Sequence, residues 1–172
     1  TGTLNAATAI LGAGGELIWN LNSTSTVALG ANAEINGNVE AATTVALGAD
    51  AKVDGDVTAI TTIAIGADAK VKGNVNAASN VELGAQGEVD GNVIAGTTVA
   101  LGADSSVTGK VHAGTTVALG AGSHVAGDVT STDSTVTLGV NSYVMGQKVA
   151  ASSEKRGEGA YTCGDVGAAT AT

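Results

Sequence analysis

Residues 43–60 read TTVALGADAKVDGDVTAI, and residues 61–78 read TTIAIGADAKVKGNVNAA. The same unit continues as SNVELGAQGEVDGNVIAG (79–96), TTVALGADSSVTGKVHAG (97–114) and TTVALGAGSHVAGDVTST (115–132), and it precedes them as STVALGANAEINGNVEAA (25–42). A degenerate copy comes earlier, because Leu11-Gly12-Ala13 sits eighteen residues before Leu29-Gly30-Ala31. Leu138-Gly139 falls nineteen residues after Leu119-Gly120, which places a one-residue insertion near Thr132-Asp133. A fixed period of this length marks a stacked repeat architecture.

Each eighteen divides into three hexads. From Leu29 to Thr130 seventeen hexads follow without a gap, with Leu, Ile, Val or Ala first and Val, Ile, Ala, Ser or Gly fifth. Such spacing does not make the stripe of a 3.6-residue helix; it fits a short strand with two inward side chains and then a corner. The expectation is an all-β, single-stranded triangular β-solenoid (β-helix) of either hand, with about eight coils of eighteen residues. The reading divides the chain into a lead-in over residues 1–10, the solenoid over 11–150, and a Gly/Ala/Ser/Thr-rich tail over 151–172. A lone coil cannot bury enough to hold itself together, so each must lean on its neighbours.

Composition agrees with a thin bore. The 172 residues include 26 Gly, no Pro and no Phe, and aromatics are 2% against 44% hydrophobic. A thick globular core leans on large rings, and Pro would remove a ladder donor. Two Gly columns, Gly30 to Gly139 and Gly37 to Gly127, fall at corners, where they are expected to supply backbone angles that a side chain penalises. Trp19 breaks the second column in the first coil and marks an end or a partner contact.

Charge and chemistry narrow the function. Seven Lys and Arg against sixteen Asp and Glu give a formal net charge of −9, and only Lys155-Arg156 form a basic pair, so no nucleic-acid footprint exists. No apolar run reaches membrane-spanning length. Cys163 is single, which excludes an internal disulfide and a Cys-based zinc cluster; it is expected as an unpaired buried thiol. His112 and His124 occupy outward repeat positions, too few for the three-His zinc of solenoid carbonic anhydrases and without the setting of hexapeptide-repeat acyltransferases. The chain is therefore not expected to be an enzyme or to carry a cofactor.

Residues eighteen apart stack into columns. Thr26, Thr44, Thr62, Thr98 and Thr116 form one, with Asn80 interrupting, and Ala46, Ala64 and Ala100 lie beside it, interrupted by Glu82. Such a flat Thr/Ala face is a candidate for binding ice or another surface, against the plain reading that Thr is a good strand residue. Asn32, Asp50, Asp68, Gln86 and Asp104 form another column, in which Asp50 and Asp68 are weak calcium candidates. The solenoid ends carry unpaired strand edges, and Trp19, Leu17, Leu21, Val144 and Val149 are the candidate assembly contacts.

VELGAQGEVDGNVIAG and VALGADAKVDGDVTA resemble bactofilin coils over roughly residues 25–130, which implies a solenoid that polymerises end to end. ELIWNLNSTSTVALGANAEINGNVEAATTVALGADAKVDG is similar to the later coils of the secreted ice-binding β-helix family, with Ile18-Trp19-Asn20-Leu21 in place of its aromatic-Trp strand. The leading expectation is a secreted or surface filament subunit stacking head-to-tail with itself. An ice-binding or adhesive module using the Thr/Ala face comes second, and a bactofilin-like cytoplasmic cytoskeletal polymer third.

Overall fold

The computed structural model describes residues 2–163, which hold twenty-seven strands and no helix. The strands form three parallel sheets of nine, and each sheet takes every third strand in chain order. That order is what a chain produces when it winds round three faces in turn. A representative coil lays down Val57–Ala59, then Thr62–Ile65, then Lys70–Val71. Each residue pairs with the one eighteen further on: Val57 with Val75, Thr62 with Asn80, Lys70 with Glu88.

The hexad rule reads directly onto burial. From Leu29 to Val129, the first and fifth residues of every hexad are buried, and most residues between them reach solvent. Val53, Val57, Ile63 and Val71 have no accessible surface at all. Branched aliphatics suit this place, because they fill a narrow bore in few rotamers and favour extended backbone. Where Ser105 and Ser123 take an inward position, each hydroxyl donates to the corner carbonyl three residues back, at 2.8 Å to Gly102 and Gly120. The buried polar atom is thereby satisfied locally.

The inserted residue lies where the sequence places it. Ala113 still pairs with Ser131 at eighteen residues, but Val117 pairs with Val136 at nineteen. The extra residue is absorbed in the bend around Thr132 and Asp133, whose amides donate to the carbonyls of Ala113 (3.1 Å) and Gly114 (2.9 Å). Both faces downstream keep their inward pattern.

Coil number and corners differ from expectation. Nine coils are present rather than eight. Residues 3–6, 9–11 and 16–17 already make the first, and Lys148–Ala150, Ser153–Arg156 and Tyr161–Thr162 make the last. Backbone pairing therefore runs past Ala150, where the apolar pattern stops; residues 164–172 of the expected tail lie outside the described residues. The Gly columns do not adopt left-handed angles. A Cβ built on Gly66 would stand 2.6 Å from the Gly48 carbonyl carbon and oxygen, and one on Gly73 would stand 2.5 Å from those of Gly55. Gly is required there by the backbone of the preceding coil. The left-handed corner belongs to Asn32, Asp50, Asp68, Gln86, Asp104 and Asn141, with φ between 54° and 58°. Asn and Asp tolerate that region best among side-chain residues. Backbone conformation thus explains the column that first suggested calcium.

Candidate functional site

A rod of stacked coils offers two ends and three faces. At the amino-terminal end, the inward column places Leu4 on Leu21, Ala9 on Val27, Leu11 on Leu29 and Leu17 on Ile35. One coil further in, Leu21 is 3% exposed, whereas Leu4 is 43% exposed. Among the described residues no coil lies over Leu4 as the first coil lies over Leu21. Ile10, Ile18 and Trp19 add exposed apolar surface around this end. A Cβ on Gly2 would come within 3.1 Å of the Trp19 indole, so the ring lies over Gly2. One coil on, a Cβ on Gly37 would stand 2.8 Å from the Trp19 carbonyl carbon and the Asn20 nitrogen, so Gly37 is held to glycine by the backbone that carries Trp19.

The carboxy-terminal end is built from different chemistry. In register, Lys148 takes the place of Val129, Glu154 that of Val136 and Arg156 that of Leu138. Three bore positions held by aliphatics in the coils before thus become charged. Glu154 Oε1 accepts from both Lys148 Nζ and Arg156 Nε, and Arg156 Nη2 donates to Thr162 Oγ1 at 3.3 Å. The Lys148 side chain is 3% exposed, so its stem fills the bore and its charge is held by Glu154. Partial burial raises the Glu154 pKa, but the hydrogen bonds from Lys148 and Arg156 outweigh it and hold the carboxyl below its ordinary value.

The five expected assembly contacts do not share one surface. Leu17 and Trp19 belong to the first coil. Leu21 and Val144 lie one coil in from either end, and both are buried in the bore. Val149 is in the last coil but pairs with Thr130 on the outward side. Leu4, Leu11, Lys148, Glu154 and Arg156, which the sequence reading did not single out, also stand in the inward columns of the first and last described coils. The signal was available: continuing the shifted hexads past Thr132-Asp133 lands on Val136, Leu138, Ser142, Val144, Lys148, Ala150, Glu154 and Arg156.

On the second face, Thr44, Thr62, Thr98 and Thr116 are half-buried and stack in register, with Asn80 between Thr62 and Thr98 and Glu82 between Ala64 and Ala100. Two hydroxyls of this column, those of Thr26 and Thr44, bond to the neighbouring Thr column. Thr26 and Thr44 meet Thr43 and Thr61 at 3.1 and 3.3 Å, and Thr43 and Thr61 donate to the carbonyls of Ser25 and Thr43. Ala46, Ala64 and Ala100 lie between these columns and the next corner.

Another corner carries an amide ladder. Asn20, Asn38, Asp56, Asn74 and Asn92 each accept, through Oδ1, the backbone N–H of the residue eighteen further on, at 2.6–2.9 Å. Asp56 is part of this ladder, where it takes the place that Asn holds in the coils on either side. The third face holds ion pairs of partly exposed groups: Lys72–Asp54 at 2.7 Å and Lys70–Glu88 at 2.9 Å. It ends in a ring column, where His124 meets Tyr143 edge-on at 3.9 Å and Tyr143 stacks on Tyr161 at 5.3 Å. Burial lowers the His124 pKa. Cys163 is exposed rather than buried, and it directly follows the last described strand, Tyr161–Thr162. Among the described residues no three His, Cys, Asp or Glu side chains are grouped to hold a metal.

An open depression on the first face is lined by Asn92, Ile94, Lys110, His112, Asp128 and Thr130. Its Lys110 and Asp128 are committed to each other at 2.8 Å. No helix among the described residues is long and apolar enough to cross a membrane.

Comparison with known proteins places this architecture. The family described as Bactofilin, polymer-forming cytoskeletal, matches residues 46–144, which is more than half of the chain and runs through five complete coils. No curated protein and no solved structure matches significantly. The match reverses the order of the sequence-based readings: it supports the cytoskeletal polymer that came third, and gives none to a secreted, surface or ice-binding role. With a parallel β-solenoid and a match of this extent, the chain belongs to the bactofilin family.

Proposed function

We propose that the chain is a structural subunit of a cytoplasmic, cytoskeletal homopolymer whose rods join by their coil ends. One observation carries this reading: the described coils stack by one parallel backbone pairing along the whole rod, the geometry by which a further coil from another copy would be added. The family description, polymer-forming cytoskeletal, supports it. Strand edges pair readily unless something protects them.

Head-to-tail joining, the simplest arrangement from a repeat, fits these ends poorly. It would set Leu4 over Lys148, Ala9 over Glu154 and Leu11 over Arg156, the next places in each inward column. Sealing ions against aliphatics costs several kcal/mol per ion even after relaxation. Joining like to like avoids that cost, because the apolar first coils then bury each other. Electron microscopy of the purified chain in negative stain tests the function. Unbranched filaments one rod wide are expected, and single rods at every concentration would overturn it.

A further inference from the structure

One corner of each coil closes on a glycine that its surroundings hold in place. A Cβ on Gly37, Gly55, Gly73 or Gly91 would stand 2.8 Å or less from backbone of the preceding coil. The residue before that glycine varies, as Asn36, Asp54, Lys72, Asp90, Thr108 and Ala126 in successive coils, and Asn36–Gly37 is the one Asn–Gly bond in the sequence. A glycine nitrogen is not crowded by a side chain, so it can reach the side-chain carbonyl carbon of the asparagine before it and close a five-membered ring. Asn36 is exposed, and among the described residues its side chain makes no hydrogen bond and the Gly37 N–H donates to none. Gly109 and Gly127 of the same column instead donate to the Gly91 and Gly109 carbonyls, at 3.2 and 3.1 Å. The Asp–Gly bonds of this corner are held back, because an ionised carboxylate is a poor electrophile and each is paired: Asp54 with Lys72 at 2.7 Å, Asp90 with Lys70 at 3.5 Å. At Asn141–Ser142 the attacking nitrogen is committed, donating to the Gly139 carbonyl at 3.1 Å.

We propose that Asn36–Gly37 is a self-modification site, whose slow, one-way reaction with water loosens the first described coil from the second. The Gly37 nitrogen attacks Asn36 Cγ; the new N–C bond forms, the bond from Cγ to the side-chain amide nitrogen breaks, and ammonia leaves with the Gly37 proton. Water then opens the succinimide at either carbonyl. One opening gives aspartate, and the other gives isoaspartate, in which the chain runs through the former side-chain carbon. No oxidant or reductant is needed. The two products act differently here. Aspartate leaves the backbone as it was, and Asp54 and Asp90 already stand at this corner in other coils. Isoaspartate adds a backbone carbon just before Gly37, where even a Cβ would meet the Trp19 carbonyl carbon and the Asn20 nitrogen at 2.8 Å. The corner must lift, and the bond from the Asn38 N–H to Asn20 Oδ1 at 2.9 Å goes with it. This change is independent of how rods join.

The full chain is held in warm, mildly alkaline buffer and sampled over weeks by peptide mass spectrometry, with an isoaspartyl carboxyl methyltransferase and labelled S-adenosylmethionine counting isoaspartate. Asn36 should lose its amide before any other asparagine, Asn22 and Asn141 included, with isoaspartate among the products. Amide exchange at Asn38 should then quicken by about fivefold, as loss of one ordinary hydrogen bond allows. The fluorescence of Trp19, the only tryptophan, should shift with it. Asn36→Gln, aged in the same way, should keep both signals as in fresh protein. Fresh Asn36→Asp should keep them too, which separates the added backbone carbon from the added charge. An amide retained at Asn36 after another asparagine has lost its own would overturn the proposal. So would isoaspartate at position 36 with Asn38 exchange and Trp19 fluorescence unchanged, or the same shifts in fresh Asn36→Asp.

Discussion

Replacing a single glycine separates two explanations of the corners. A Cβ on Gly66 would stand 2.6 Å from the carbonyl carbon and oxygen of Gly48, against the 3.4 Å at which ordinary contact begins, a shortfall of about 0.8 Å. The atoms in the way are backbone of the neighbouring coil, which is tied into three sheets and cannot rotate aside. Overpacking of this kind costs about 1–3 kcal/mol, and a rigid obstacle puts Gly66→Ala near the top of that range. Gly12 occupies the same column in the first coil, and a Cβ there meets nothing within 4 Å. Gly12→Ala should therefore be neutral, or stabilising by up to about 1 kcal/mol through the unfolded chain. Urea unfolding of both variants, followed by far-ultraviolet circular dichroism, compares them with wild type. If the column existed to supply unusual backbone angles, the two would suffer alike. Equal destabilisation, or a Gly66→Ala midpoint unchanged from wild type, would refute the close-approach argument.

Three further changes test the core, the ladder and one buried titration. Ile63→Ala empties a fully buried site in the middle of the rod and should cost about 2–5 kcal/mol in the same unfolding measurement; a loss under 1 kcal/mol would mean the bore collapses freely. Asn74→Ala removes the acceptor for the Asn92 N–H (2.9 Å) and Nδ2 (3.0 Å), and should cost about 1 kcal/mol, seen as faster amide exchange at Asn92; unchanged exchange there would discount the ladder. His124 is held below its ordinary value of 6.5 by burial, so the folded chain resists a proton that the unfolded chain accepts. Stability is complete above pH 6.5, falls as pH drops from there to the lower folded value, and levels beyond it. His124→Gln should flatten that slope, and an unaltered slope in melting temperature against pH would assign it elsewhere.

The middle of the rod was legible because the repeat states the same contact many times. Val53, Val57 and Ile63 are inward for the reason that Val71, Val75 and Val81 are, so one coil read correctly predicts the next. The corners were half legible. Gly48 and Gly66 announced a constraint, but a sequence cannot separate a conformational demand from a near neighbour, because Gly answers both. The Asp50 and Asp68 column was legible as a column and misleading as chemistry. Its members include Asn32, Gln86 and Asn141, which share a left-handed φ with them and cannot share a charge.

The ends were least legible, and the reason is physical. Periodicity encodes what one coil does to its neighbour; an end is where a neighbour is lacking, so it shows only as departure from the pattern. Leu4 looks like any other bore residue until its exposure is measured against that of Leu21. Lys148, Glu154 and Arg156 look like the start of a polar tail, because aliphatic content was used to decide where the solenoid stops. Backbone pairing does not stop with aliphatic content: Glu154 pairs with Val136 as regularly as Val136 pairs with Val117. A hydrogen-bond ladder can carry one coil beyond its apolar core if that coil satisfies its own charges, as Glu154 does for Lys148 and Arg156. In a stacked repeat protein, then, register should be continued past the last hydrophobic residue.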